Sequence, residues 1–224
     1  MKCEIAKLKA DIASLIERRN DSLQLNGSFQ FLTSPRVWLI AAEYVHHFSS
    51  YILSTVEPVE LLHQASKFLN TVMVSDVIIG SHFGIEAQLE NWRLYAQFFD
   101  KIQLGLRSMH MSTTETLVAC TCVSVTITNR TLQQGFPHLN SDGTGGTKGG
   151  VWSPVAVRML DQKLIMCGTV KFGLDVMDKV TRVDFQADMM TPMTKLLHNL
   201  RTVSYAFTKA RITPDFYIVR DVDI

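Results

Sequence analysis

Asp76, His82 and Tyr95 are the residues of this 224-residue chain whose types could do acid–base chemistry. Such chemistry needs a carboxylate, imidazole or phenol aimed into a cavity, with its pKa tuned to the reaction. Asp76 falls in a short strand-like run, VMVSDVII at 72–79. His82 stands between Gly80 and Gly84, the setting of an exposed loop. Tyr95 shares a helical stretch with Trp92, where a core or rim role fits better than catalysis. His46 and His47 are neighbours on a helix and project about 100° apart, so they make poor joint metal ligands. Cys120 and Cys122 point the same way along a strand and are poorly placed to bridge each other, while Cys3 and Cys167 are isolated. A lone C-x-C pair is a weak metal signal, and the thiols read as reduced and structural. The run NSDGTGGTKGG at 140–150 lacks the G-x-x-x-x-G-K-[ST] spacing of a phosphate cradle and reads as a flexible loop. Asn129-Arg130-Thr131 matches a glycosylation sequon by chance. These residues predict no catalytic residue, no metal site and no cofactor.

The elements that would position them follow from the apolar periodicity. Ser34-Pro35 places a cap and a first-turn proline ahead of Val37, Ala41, Tyr44, Val45, Phe48 and Ile52, one face of a helix. Pro58 opens a second helix with Leu61, Leu62, Ala65, Phe68 and Leu69. Gly84 precedes a third, on which Ile85, Leu89, Trp92, Ala96 and Phe99 align. The period then changes to two. Ile102, Leu104 and Leu106 alternate with polar residues, and 115–132, rich in Val, Thr and Ile, predicts a long strand. A helical turn near 154–160 is followed by two more strands. Leu164, Met166, Val170, Phe172 and Leu174 form the core-facing stripe of the first, and Val183, Phe185 and Ala187 that of the second. That parity turns Lys163, Thr169, Lys171, Asp184, Gln186 and Asp188 away from the core and predicts a mainly aliphatic and aromatic interior. Thr191-Pro192 starts a last helix, with Met193, Leu196, Leu197, Leu200, Val203 and Phe207 on one face, that stops before Pro214. Helices first and antiparallel strands after them predict an α+β domain, helices packed on one face of a curved sheet.

Hydrophobic residues at 46% and charged residues at 19% describe a globular chain, and a net charge of +1 provides no basic DNA-binding footprint. No apolar run reaches the roughly 20 residues that span a bilayer, so no membrane partner is expected, and without a signal-peptide core an intracellular protein is expected. Residues 1–19 carry a heptad repeat, with Met1, Leu8 and Leu15 on one position and Ile5 and Ile12 on the other. Ile at a with Leu at d favours a parallel two-stranded coiled coil. Two heptads are short, and the same pattern also suits an amphipathic helix packed on its own domain.

The element order resembles the NTF2-like (SnoaL-like) cone fold, in which helices close over a strongly curved sheet. More closely, the chain is similar to the basic leucine-zipper (bZIP) transcription factors of oomycetes that carry such a domain after the zipper. The resemblance rests on GIEAQLENWRLYAQFFDKIQLGL at 84–106, VSVTITNRTLQQGFPHL at 123–139, QKLIMCGTVKF at 162–172 and DMMTPMTKLL at 188–197, and it extends over about the whole chain. It implies a zipper remnant at 1–19, a linker at 20–33, an NTF2-like domain at 34–213 and a tail at 214–224. It also implies homo- or heterodimerisation through Met1, Ile5, Leu8, Ile12 and Leu15, a nuclear location, and a cone that serves as a ligand- or partner-binding regulatory module. Trp92, Tyr95 and Phe99 are expected to line its pocket, which would suit a small apolar ligand. The DNA-reading helix of such proteins lies just before the zipper. Here no basic run precedes the heptads, so no DNA-binding residue is expected in this chain, and DNA becomes a partner only if a basic region lies upstream of Met1. A free-standing non-catalytic NTF2-like dimer and a small cone-fold isomerase or dehydratase are the alternatives.

Overall fold

The computed structural model describes residues 35–53 and 59–219. The zipper positions, Cys3, the linker, Ser34, Pro58 and residues 220–224 lie outside them. Helix α1 (Pro35–Leu53) starts on a proline, whose missing N–H is no loss in a first turn. The whole expected stripe from Val37 to Ile52 is buried. Helix α2 (Val59–Val72) buries only its C-terminal half, through Ala65, Phe68, Leu69 and Val72. Leu62, expected on the inner face, is 44% exposed. Strand β1 (Met73–Ile79) follows at once and turns through Gly80 into the short β2 (His82–Phe83). Gly84 then holds φ at 90°, a conformation that favours glycine, and starts helix α3 (Ile85–Phe98).

Strands β3 (Ile102–Thr113) and β4 (Thr116–Thr126) form a long hairpin. β4 ends six residues earlier than its β-forming sequence suggests. The Thr128 hydroxyl accepts a hydrogen bond from Thr131 N–H and nucleates helix α4 (Asn129–Gly135). A local cap thus overrides strand propensity. The Ser153 side chain caps α5 (Pro154–Met159) in the same way. β5 (Lys163–Leu174) and β6 (Val180–Ala187) complete a six-stranded sheet in the order β2-β1-β6-β5-β4-β3. Every neighbouring pair is antiparallel except β1 with β6, which the sequence did not reveal. Register shifts at Leu106/Ser108 and Met111/Thr113 bend β3, and helices pack on the concave face. Ser49 Oγ in α1 donates to Leu104 O across that interface.

The expected last helix is two. α6 (Met190–Leu197) stops at His198, left-handed at φ 57°, and Asn199 caps α7 (Leu200–Phe207) by accepting from Arg201 N–H. The break takes Leu200 off the core face, where it is 63% exposed. The segment expected to be a tail is part of the core as far as Val219. Ala187 N–H donates to Asp215 O and Met189 N–H to Pro214 O, and Phe216 and Ile218 are buried.

Candidate functional site

A cavity of about 360 Å³ opens where the sheet changes partner. β1 pairs with β6 up to Ile79–Val183, and the C-terminal segment takes over the β6 edge at Ala187. Between those points neither strand covers the edge, so residues from both faces of β6 reach the same space. This is why Asp184 and Gln186, expected to point away, line the cavity alongside Val183 and Phe185; Lys171, also expected to point away, lines it from β5, where it pairs in register with Asp184. α1 contributes Tyr44, and α3 contributes Gln88, Asn91 and Tyr95. The volume is within the range of small-ligand sites.

The floor is aromatic and neutral. Trp92 Nε1 donates to the Tyr44 hydroxyl at 3.3 Å, and the Tyr95 hydroxyl donates to Phe216 O at 2.8 Å. Burial pushes the Tyr44 hydroxyl up to about 12, an effect only partly offset by the polar groups of Trp92 and Gln88 beside it. Burial raises Tyr95 further, with Tyr44 and Tyr217 adding to it. Both phenols therefore stay protonated, Tyr95 as a donor to Phe216 O and Tyr44 as an acceptor from Trp92. Gln88 is fully buried, and although its amide lies close enough to the Tyr44 hydroxyl to lower that group's pKa, neither amide atom reaches hydrogen-bond geometry with a protein group. On the rim, Asp184 is held by Arg182, Nε to Oδ2 at 2.8 Å.

Of the three residues expected to line the pocket, only Tyr95 does so. Trp92 and Phe99 are buried in the core behind it, Trp92 edge-on to Tyr44 and Phe99 against Phe216. Asp76 is exposed on β1, and His82 bonds the neighbouring Ser81 hydroxyl, so neither joins Tyr95. His47 stacks on Phe68 at 4.5 Å, and burial and then the neighbouring His46 lower its pKa. Gln88, Asn91, Lys171 and Asp184 were not anticipated. Gln88 had a legible signal, since it lies three residues after Ile85 and four before Trp92, on the apolar stripe of α3. Among the described residues, no helix is long and apolar enough to cross a membrane.

The glycine-rich loop holds an anion of its own. The Asp142 carboxylate accepts from the N–H groups of Thr144, Gly146 and Lys148 at 2.8, 3.0 and 3.1 Å. Desolvation works against the ionised form, but these donors prevail and lower its pKa to about 2. A depressed carboxylate pKa stabilises the fold above the unfolded value of about 3.9 and ceases to do so as pH falls through the folded value. Asp142→Asn should therefore speed amide exchange at Gly146 and Lys148 at pH 5, with little change elsewhere, as read by NMR. The unmodified protein should lose that protection only as pH approaches about 2. Equal exchange in the two proteins at pH 5 would show that the carboxylate does not organise the loop.

The fold and cavity define an α+β protein with helices over a curved sheet and a small, partly open site beside its edge. Residues 38–98 match the family model described as the BZIP transcription factor 1 C-terminal domain. The match runs from α1 to α3 and includes Tyr44, Gln88 and Tyr95. No curated protein matches the chain in sequence. Solved structures similar to it include a SnoaL-like polyketide cyclase from Agrobacterium tumefaciens, 15% identical, covering 72% of this chain and 97% of that one at a TM-score of 0.45. An NTF2-like protein from Exiguobacterium is 12% identical, covering 66% of this chain and 98% of its own at 0.42. An NTF2-like protein from Anabaena variabilis is 14% identical, covering 69% and 91% at 0.40.

Proposed function

We propose that the chain is the C-terminal part of a bZIP transcription factor, in which an NTF2-like domain serves as a ligand- or partner-binding regulatory module. The observation that carries this is the family match over 38–98, which takes in the helices forming one wall of the cavity. A non-enzymatic role is supported by the protonation of the floor. Tyr44 and Tyr95 keep their protons, Tyr95 commits its own to Phe216 O, and Asp184 is paired with Arg182. Cavity ligands would be small and held by aromatic walls and a few polar groups, Gln88 and Asn91 inside and the charged Lys171 and Asp184 beside them. In this reading Met1, Ile5, Leu8, Ile12 and Leu15 form the seam of a homo- or heterodimer, DNA is a partner only if a basic region lies upstream of the zipper, and the protein works in the nucleus.

The seam provides the test. The chain should sediment as a dimer at micromolar concentration, and Leu8→Pro should shift it to monomer, because proline removes a helical hydrogen bond in the middle of two heptads. Near-identical unfolding curves of the two proteins at monomer concentrations would assign the change to association. A dimer that survives the substitution would place the interface elsewhere, and a wild-type monomer throughout would refute the zipper.

A further inference from the structure

We propose that Cys122 and Cys167 are a peroxide-oxidisable thiol pair, a site of reversible modification on the outer face of the sheet. The sequence separates them by the end of β4, helices α4 and α5, the glycine-rich loop and the start of β5, and the β4–β5 register sets them directly opposite one another. The hydrogen-bond pattern fixes the kind of pair. Asp188 N–H donates to Cys167 O, so the main-chain polar groups of Cys167 face β6. On the other side Ile127 N–H donates to Gln162 O, which directs the odd-numbered residues of β4 toward β5 and Cys122 toward β3. The two cysteines thus occupy a non-hydrogen-bonded position, where facing Cα atoms are about 4.5 Å apart and side chains approach most closely. Disulfides form across Cα separations of about 4.4–6.8 Å. Neighbouring Val123, Met166 and Gly168 are buried, so Cys122 and Cys167 lie on the opposite face, half-buried and exposed respectively, and both are free thiols. Among the described residues no cluster has the arrangement of a metal site, so a competing role as metal ligands has no support.

The oxidant is hydrogen peroxide. The exposed Cys167 thiolate attacks one peroxide oxygen, the O–O bond breaks, and the departing hydroxide leaves as water, giving a sulfenic acid on Cys167. The Cys122 thiolate then attacks that sulfur. The S–S bond forms, the S–O bond breaks, and the second oxygen also leaves as water. Two thiols lose two electrons in all, and peroxide gains them. The product is a disulfide clamping β4 to β5, and a dithiol reductant reverses it by exchange. Cys120, on the same face two residues before Cys122, pairs with Thr169 and has no thiol opposite it.

The test uses the full chain with Cys3→Ser, which removes the thiol outside the described residues. The reduced protein is treated with peroxide near stoichiometry at low concentration, alkylated and mapped as non-reduced peptides. The expected product carries no disulfide between chains, lacks two alkylatable thiols, links the peptides of Cys122 and Cys167, and melts at a higher temperature until dithiothreitol restores it. Cys120→Ser should leave this unchanged, whereas Cys122→Ser and Cys167→Ser should each abolish the link. Crosslinks between chains, a link through Cys120, or three thiols still alkylatable after peroxide would each overturn the proposal.

Discussion

Truncating Trp92 to alanine should remove about 3–5 kcal/mol of stability, the range for deleting a large buried aromatic side chain. Folded domains hold only about 5–15 kcal/mol in total, so the variant should stand close to unfolding at room temperature. The reason is local and cumulative. Trp92 is fully buried and edge-on to Tyr44 and Phe48 at 5.3 and 5.7 Å, with Tyr51 tilted at 6.0 Å. Its loss leaves a cavity between α1 and α3, and the Tyr44 hydroxyl loses its donor inside the core. Urea unfolding of the two proteins measures the effect, with Trp38 and Trp152 as remaining fluorophores. The midpoint should fall while the slope holds. A loss under about 1 kcal/mol would mean that the site collapses to fill the space, contrary to the rigid packing implied here.

Trp92 was legible in the sequence as a member of an apolar helical stripe, and so were Val37, Ala41, Tyr44, Val45, Phe48 and Ile52 of α1, though not the buried Ile40, because the stripe has a period of three to four residues. The alternation on β5 was legible for the same reason: Leu164, Met166, Val170, Phe172 and Leu174 are all buried. What could not be read depends on pairing or on a single local bond. The run through Ile127 to Leu132 is β-forming by composition, and only the Thr128 cap turns it into a helix. His198 and Asn199 split a helix whose apolar spacing was continuous. Cys122 and Cys167 are unrelated until a register is known. The cavity was misread by parity, since inside and outside are distinguishable only where a strand has neighbours on both edges, and β6 lacks one between Val183 and Ala187.

Gln88→Met should raise the stability of the domain by about 1–3 kcal/mol, the penalty for a buried polar group left without a hydrogen bond. Most core substitutions destabilise, so the sign is the informative part. Methionine is unbranched, close to glutamine in volume and flexible enough to follow its path along α3. In the unfolded chain the glutamine amide is solvated by water; in the folded chain both its amide atoms lie buried, near enough to the Tyr44 hydroxyl to lower its pKa but outside hydrogen-bond geometry with any protein group. A polar group kept at such a cost in a cavity wall fits a binding group better than a structural one, as stability is commonly given up at functional sites. Gln88→Glu supplies the contrast. It places a carboxyl in the same buried position and should destabilise, more so at pH 8 than at pH 5, because burial opposes ionisation. Urea midpoints of the three proteins at both pH values decide the matter. If Gln88→Met unfolds more easily than the parent, the amide is paired in solution, and Gln88 is no free polar group for a ligand to meet.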